Sequence, residues 1–252
     1  MTVSHIWEFY FCWSLTRYPV QCIVFLFVCM FVCLCDWLID VGDGPKWMCG
    51  VQYLKSDSLV YSFGSDGDTS FERAVHNITK TSNIFIFDPT LTVKKRKKVY
   101  REVPYTLTEV GLLGKNGTGF TYHKKWFPAR SLPDHMTQLG HVGATINVLK
   151  VDIEGSEFAA FRDVVIGECA HADVQIDQLL VEVHGTDRGV LVPFMQQLAK
   201  CNLRLFSKER NGWGCSGYLC VEYSFVAPSF AFDVFRGTHS SCPGRWCWED
   251  FK

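Results

Sequence analysis

The chain has 252 residues, of which 48% are hydrophobic and 15% aromatic, enough for one domain of about 200 residues with an appendage. Its 25 basic and 26 acidic residues give a net charge of −1, which excludes the overall basic bias of many nucleic-acid-binding proteins. Five of the twelve cysteines lie in the first forty residues and seven lie beyond. Because seven is odd, at least one of these would stay free or pair between chains in an oxidising compartment.

An apolar segment, residues 20–39, follows an amino-terminal tail of residues 1–19. The segment is close to the roughly 20 residues that span a bilayer, whereas its uninterrupted core, Cys22–Cys35, is closer to the length of a signal peptide. No small residues of the A-x-A type follow the core, so we interpret the segment as a transmembrane or signal-anchor helix rather than a cleaved signal. A buried hydrophobic helix of the folded domain is the alternative.

Three features bear on where the folded part resides. Arg17 precedes the apolar segment and favours a cytoplasmic amino terminus, with the domain in the secretory lumen or outside the cell. The sequons at Asn77 and Asn116 agree with that location and predict a glycoprotein, although such triplets often arise by chance. The cationic run Lys94–Lys98 is typical of a solvated loop or helix face, with a nuclear signal or a polyanion contact as the alternative.

Residues 58–63 are the first predicted strand of a folded domain that we place at residues 46–226. Gly64 and Gly67 lie in the turn that follows, and residues 69–75 continue as a helix. A strand, a glycine-containing turn and a helix in succession bring backbone N–H groups close to a nucleotide-like ligand. The turn lacks the three-glycine dinucleotide fingerprint, so its signal is weak by itself.

A second buried strand, residues 83–87, ends at Asp88, which lies 24 residues after Gly64. An acid about 20 residues past the glycine turn can accept hydrogen bonds from two ribose hydroxyls. A simple turn residue is the alternative for Asp88. Beyond it the pattern is weaker: residues 103–113 predict a third strand, and residues 126–143 predict a short helix with loops.

The most informative stretch is the apolar, β-branched run Ile146–Ile153 and the polar residues at its end. The run suits a strand buried on both faces of a parallel sheet, and Ser156 followed by Glu157 can cap the next helix. Asp152 and Glu154 therefore stand at the carboxyl end of a central strand, where open α/β sheets bind their ligands. A solvated turn is the alternative.

His184 ends the next apolar strand, residues 178–184. If the strands are parallel, His184 lies at the same sheet edge as Asp152 and Asp88. A histidine there could act as a general base at neutral pH, because its unperturbed pKa is about 6.5. A purely structural histidine is the alternative.

The remaining elements close the domain. Residues 190–201 have helical spacing, and residues 203–208 and 218–225 predict an antiparallel pair at the sheet edge. The carboxyl-terminal tail, residues 227–252, carries phenylalanines that we expect to pack on the domain.

Four motifs follow one another at fixed spacing across residues 46–226. They are Val60-Tyr61-Ser62-Phe63-Gly64 with Ser70-Phe71-Glu72, then Phe87-Asp88-Pro89, then Leu149-Lys150-Val151-Asp152-Ile153-Glu154-Gly155-Ser156-Glu157, and then Glu182-Val183-His184. Together they resemble the methyltransferase-like proteins related to the FkbM group. The third motif is the most specific and the glycine turn the least.

The resemblance implies a class I S-adenosylmethionine-dependent methyltransferase, an α/β Rossmann-like fold with a mostly parallel seven-stranded sheet and helices on both faces. Carried over by position, Gly64 and Gly67 would line the methionine and sugar side of the cofactor. Asp88 would bind the ribose hydroxyls. Asp152 with Glu154 would flank the cofactor methyl and the substrate.

Methyl transfer from a sulfonium needs the nucleophile and the methyl held in line, and a base if the acceptor is a hydroxyl. We predict Asp152, Glu154 and His184 as the catalytic bases. They could alternatively hold a divalent cation that acidifies the hydroxyl, but we expect general-base action and no metal. The acid usual before the glycine turn is replaced here by Ser62 and Phe63, which leaves tight cofactor binding open.

These features lead us to expect a membrane-anchored, lumen-facing methyltransferase that acts on an oxygen of a sugar or another small hydroxylated acceptor. A catalytically inactive binding module with the same fold is the alternative. A nucleic-acid methyltransferase, suggested by Lys94–Lys98, would require a cytosolic or nuclear location and salt-sensitive binding.

Overall fold

A computed structural model describes residues 35–38, 46–102, 104–114, 117–163, 174–185, 187–211 and 220–239. The strands are β1 (Cys35–Leu38), β2 (Lys46–Cys49), β3 (Val60–Phe63), β4 (Ile84–Phe87), β5 (Thr106–Thr108), β6 (Gly111–Leu112), β7 (Gly119–Tyr122), β8 (Lys125–Arg130), β9 (Thr145–Val151), β10 (Gln175–His184), β11 (Arg204–Arg210) and β12 (Cys220–Val226). The helices are α1 (Ser70–Thr79), α2 (Val93–Val99), α3 (Leu132–Leu139), α4 (Glu157–Asp163), α5 (Arg188–Lys200) and α6 (Pro228–His239), and Val51–Tyr53 form a 3-10 turn.

The central sheet has seven strands in the order β11-β12-β10-β9-β3-β4-β5. The strands from β10 to β5 are parallel, and β12 pairs antiparallel with both β10 and β11. The prediction of a mostly parallel, seven-stranded sheet with an antiparallel edge pair is confirmed. From β3 the chain moves outward to β4 and β5, and it then returns to the other side of β3 at β9. The crevice beyond the carboxyl ends of β3 and β9 is therefore the topological switch point, where open α/β sheets bind ligands.

Alternating side chains give each face of the sheet its own layer. Tyr61 and Phe63 of β3 belong to a buried cluster with residues of α3, α4 and α5. Val60 lies on the opposite face with residues of α1, and the α2 residue Val99 packs against the same face of β4. Phe230 of α6 packs against residues of both clusters. The predicted helices on both faces are thus confirmed.

The described part of the amino-terminal apolar segment, residues 35–38, differs from the prediction. Residues 35–38, the end of the helix predicted over 20–39, form strand β1 and pair antiparallel with β2, from Cys35 opposite Cys49 to Leu38 opposite Lys46. Backbone pairing with β2 satisfies these peptide groups and overrides the local apolar pattern. Residues 1–34 and 39–45 lie outside the described part, and none of the helices described is both long and apolar enough to cross a membrane.

Several local elements differ from the sequence interpretation. The weak strand prediction over 103–113 corresponds to two short strands, β5 and β6. The antiparallel pair β7 and β8, with β6 beside β8, forms a small separate sheet that the pattern did not predict, because Pro128 interrupts the alternation. The tail from residue 227 begins as helix α6, in which Phe230 packs on the core but Phe232 is 38% exposed. Residues 240–252 lie outside the described part.

Candidate active site

The glycine turn after β3 lies directly against the end of β9. Gly64 has a φ of +75°, and a Cβ added to it would lie only 1.6 Å from the carbonyl oxygen of Asp152. Its N–H also donates to the carbonyl of Phe87, at 3.0 Å, at the end of β4. Only glycine fits here, both for its left-handed backbone and for this close approach.

Gly67 lies farther along the same turn. Its φ is +78°, so its conformation also favours glycine, but its open side faces the side chain of Lys95 on α2, where an added Cβ would lie 2.8 Å from the lysine Cβ. Gly67 is not among the residues that line the adjoining cavity. Gly67 therefore shapes the turn, and its role beside the cofactor stays a prediction.

Asp88 stands at the end of β4 as predicted, but its carboxylate already organises the neighbouring turns. Oδ2 accepts from the backbone N–H groups of Ser65 and Asp66, at 3.0 and 2.9 Å, and from the Ser65 hydroxyl at 3.3 Å. Oδ1 accepts from the N–H and the hydroxyl of Thr90, at 3.0 and 2.7 Å. Five contacts saturate this carboxylate, so ribose hydroxyls could bind it only by displacing some of them.

The turn after β9 presents the two predicted carboxylates. Asp152 is anchored by its N–H, which donates to the carbonyl of Phe63 at 3.0 Å, while Glu154 adopts a φ of +55° and Gly155 a φ of +98°. The fully buried Glu157 uses Oε1 to accept from the N–H groups of Ile153 and Gly155, at 3.2 and 3.1 Å, and so closes the turn itself.

His184 reaches the same sheet edge and is held among carboxylates. Its Nδ1 lies 3.0 Å from Glu157 Oε1, and its Nε2 lies 3.5 Å from Glu154 Oε2 and 3.9 Å from Glu182 Oε1. Burial alone would lower the pKa of His184. The hydrogen bond to Glu157 and the charges of Glu157, Glu182 and Asp152 outweigh burial and raise this pKa to about 9.

This environment argues against the predicted role of His184 as a general base. An imidazole with a pKa of about 9 is protonated at neutral pH and has no lone pair to accept a proton. His184 is also not among the residues that line the cavity. The sequence placed the ring at the correct edge, but the carboxylates that set its pKa come together only in the fold.

A cavity of about 510 Å³ occupies the switch point. Gly64 and Asp88 line it on one side, and Asp152 and Glu154 line it on the other. The fold therefore brings together four of the residues predicted for the site.

The cavity also includes residues that sequence reasoning missed. Phe120 and Tyr122 of β7 line it from the small sheet, and no motif had singled them out. Lys150 lines it from β9, with Nζ donating to the carbonyl of Gly64 at 2.8 Å. A lysine inside a buried apolar strand is unusual, and that signal could have identified Lys150.

Buried charges underlie the cavity on the face covered by α1. Glu72 of α1 accepts from the Ser62 hydroxyl at 2.5 Å, and burial raises its pKa against the lowering influence of Lys150. Lys46 of β2 forms a buried ion pair with Glu222, and burial likewise raises the pKa of Glu222. Ser62 stands where an acid is usual before the glycine turn, and its hydroxyl donates a hydrogen bond to Glu72 of helix α1.

A family model described as a methyltransferase domain matches residues 23–227. The chain belongs to this methyltransferase family. The match begins inside the apolar segment and includes all seven strands of the central sheet. No curated protein sequence matches the chain.

The chain shares low sequence identity and low TM-scores with the solved structures that it is similar to. The fibrillarin pre-rRNA processing protein of Methanococcus jannaschii is 8% identical, with a TM-score of 0.43, over 72% of this chain and 70% of that one. Aeropyrum pernix fibrillarin, solved with natively bound S-adenosyl-L-methionine, is 11% identical, with a TM-score of 0.42, over 69% and 67%. The N-methyltransferase NodS of Bradyrhizobium japonicum is 9% identical, with a TM-score of 0.37, over 69% and 86%. These likenesses carry no information about the acceptor of this methyltransferase.

Proposed function

We propose that this chain is an S-adenosylmethionine-dependent methyltransferase that methylates an oxygen of a sugar or another small hydroxylated acceptor. The observation that carries the proposal is the cavity of about 510 Å³ at the switch point, a volume typical of cofactor sites. Membership in a methyltransferase family supports the reaction class. The likeness of the Asp-Ile-Glu-Gly-Ser-Glu motif to FkbM-related proteins supports the acceptor class.

The charge of the cavity suits this cofactor. Its lining contains the carboxylates of Asp66, Asp68, Asp88, Asp152 and Glu154. Among the described lining residues, Lys150 alone is a lysine or an arginine. S-adenosylmethionine supplies an electrophilic methyl on a sulfonium and carries an ammonium beside a single carboxylate. An acidic cavity therefore attracts the cofactor and holds its product, which lacks the sulfonium charge, less strongly.

The cavity residues divide the work of methyl transfer. The acceptor oxygen attacks the methyl carbon, the carbon–sulfur bond breaks with its electron pair left on sulfur, and the hydroxyl proton leaves. Asp152 is our candidate to orient the acceptor and take that proton, because it lines the cavity at the end of β9. Lys150 fixes the Gly64 carbonyl, over which we place the methionine part of the cofactor.

We also propose that the protein is membrane-anchored and that its domain faces the secretory lumen or the exterior. The apolar residues 20–34, which precede strand β1, and Arg17 before them support this location. Cys49, Cys201 and Cys220 are disulfide-bonded, which is usual in oxidising compartments. Asn77, one of the two sequon asparagines, is exposed near the end of α1. Protease protection of the tagged chain in sealed microsomes tests the location, and digestion without detergent would contradict it.

A binding module without catalysis is the second candidate, and one observation favours it. The carboxylate of Asp88, predicted to bind ribose, is saturated by Ser65, Asp66 and Thr90. A chain in which Asp88 only organises the turns would keep the fold and lose the cofactor. Cofactor binding therefore separates the two candidates.

The test is calorimetric titration of the purified protein with S-adenosylmethionine. We expect saturable binding that Asp152→Asn weakens about tenfold, since contacts to charged groups contribute about 1.5–3 kcal/mol. Asp57→Asn, an exposed aspartate before β3 at the opposite edge of the sheet, is the matched control and should leave the affinity unchanged. No binding by the folded wild-type protein would reject the enzyme and favour the binding module.

A further inference from the structure

We infer that Asp152, Glu154 and His184 form a divalent-cation site at the rim of the cavity. The cation would bind the acceptor hydroxyl and acidify it, so that with the ion bound the proton leaves to water. Asp152 then acts as a ligand of the ion instead of as the base proposed for the ion-free site. This use of the cation rests on the proposed function, whereas the binding itself does not.

The spacing of the three side chains suits a shared ion. One ligand atom from each of Asp152, Glu154 and His184 can be chosen so that all lie within 4.8 Å of one another. Ligand atoms at about 2.1 Å from a cation lie about 3–4 Å apart, so small side-chain rotations close the site. The 3.5 Å between His184 Nε2 and Glu154 Oε2 already falls in that range. It is long for a direct hydrogen bond.

Glu157 supplies the support that a histidine ligand needs. Metal-bound histidines usually donate their second ring N–H to a carboxylate, which fixes the ring and directs the other nitrogen to the ion. Here Glu157 Oε1 lies 3.0 Å from Nδ1, and its own position is fixed by the N–H groups of Ile153 and Gly155. This arrangement leaves Nε2 on the side of Glu154, where the ion binds by displacing the proton that Nε2 carries in the absence of metal.

A second observation points to a missing positive ligand. Glu157 is fully buried, and its Oε2 has no hydrogen-bond partner among the described residues. A buried carboxylate oxygen without a partner is costly, and a nearby divalent charge would offset that cost. The carboxylate belongs to the same cluster, since its other oxygen contacts His184.

The chemistry of the ligands limits which ion fits. Two carboxylates with one imidazole suit a first-row divalent cation such as Mn²⁺ or Zn²⁺, with water or an acceptor oxygen in the open positions. A neighbouring group, Glu182, His184 and Cys220, has similar spacing but cannot act in the same way. Cys220 is disulfide-bonded, so it has no thiolate to offer.

The test is calorimetric titration of the chelator-treated full chain with Mn²⁺ and with Zn²⁺, without cofactor. We expect one site, and we expect Glu154→Gln to weaken its affinity at least tenfold. The Glu154 side chain is 66% exposed, so this variant should fold. Asp66→Asn, a cavity-lining and 85% exposed carboxylate outside the cluster, is the matched control and should bind the ion as the wild type does.

The outcomes separate this site from the proposed function. No binding of either ion by the folded wild type, or equal binding by Glu154→Gln, would overturn the site. S-adenosylmethionine is titrated in parallel with chelator present. Cation binding without cofactor binding would keep the site and reject the methyltransferase, whereas the reverse would reject only the site.

Discussion

Replacing Gly64 with alanine tests the contact between the β3 turn and the end of β9, on which the whole site depends. Alanine at a φ of +75° costs about 1–2 kcal/mol from backbone strain alone. Its Cβ would lie 1.6 Å from the Asp152 carbonyl oxygen, where real contacts are at least 3.0 Å. The two segments would have to separate by more than 1 Å, and overpacking of this kind costs about 1–3 kcal/mol.

The chain supplies a matched control for this substitution. Gly140 ends α3 with a φ of +74°, almost the same as that of Gly64, and an added Cβ there would meet nothing within 4 Å. Gly140→Ala therefore carries the backbone strain without the clash. Separation at Gly64 would also weaken the hydrogen bond from the Asp152 N–H to the Phe63 carbonyl, a further cost of about 1 kcal/mol.

We expect Gly64→Ala to lower the free energy of unfolding by about 3–6 kcal/mol and Gly140→Ala by about 1–2 kcal/mol. Urea denaturation of the wild type and both variants, with one common slope, measures the difference. If the two variants lose the same stability, the close approach of Gly64 to Asp152 does not exist as described. If Gly64→Ala does not fold, Gly64→Ser cannot replace it, because a serine Cβ would meet the same carbonyl oxygen. Limited proteolysis of freshly expressed protein is then the measurement, and Gly140→Ala should resist digestion while Gly64→Ala is degraded.

Two further predictions concern buried titratable groups. Burial lowers the pKa of His135 to about 4, and the Nε2–H of the neutral ring donates to the carbonyl of Gly111. Because the fold favours the neutral ring, the stability that it contributes is present above pH 6.5 and is lost as the pH falls to 4. This loss is about 3 kcal/mol for the wild type and is absent from His135→Gln. Urea denaturation at pH 7 and pH 4 should therefore show the stability difference between the two proteins change by about 3 kcal/mol in favour of the variant. The same pH dependence of stability in both proteins would contradict the prediction. Lys150→Met removes the donor to the Gly64 carbonyl and the cation that lowers the pKa of Glu72, so we expect it to destabilise the protein by about 2 kcal/mol at pH 8. Burial raises the pKa of Glu72, so the charged fraction of this carboxyl falls as the pH falls, and the loss at pH 5 should be smaller. Thermal melts at the two pH values check the sign, and a loss that does not depend on pH would exclude Glu72 as the partner.

Local pattern was sufficient to predict the strands that build the site. The β-branched run at 146–153 and the aromatic run at 83–87 are buried on both faces, and in the fold they are β9 and β4. Because parallel strands end at the same sheet edge, Asp88 and Asp152 were placed correctly before any contact was known. Both line the same cavity.

Pattern was insufficient where distant segments determine the local structure. Residues 35–38 read as the end of an apolar helix, but they form a strand because β2 pairs with them. Phe120 and Tyr122 reach the cavity only because β7 and β8 form a hairpin beside it. No periodicity within such short segments indicates which neighbour they will meet.

The sequence by itself therefore determined the strands that build the site, the sheet edge at which the polar residues meet and the methyltransferase class of the domain. Only the tertiary structure decided what those residues can do. Asp88 accepts hydrogen bonds from the turns around it, and the carboxylates around His184 raise the pKa of that ring to about 9. The reason is that hydrogen-bond saturation and pKa depend on groups far apart in the chain, such as Glu157, Glu182 and Asp152 around His184.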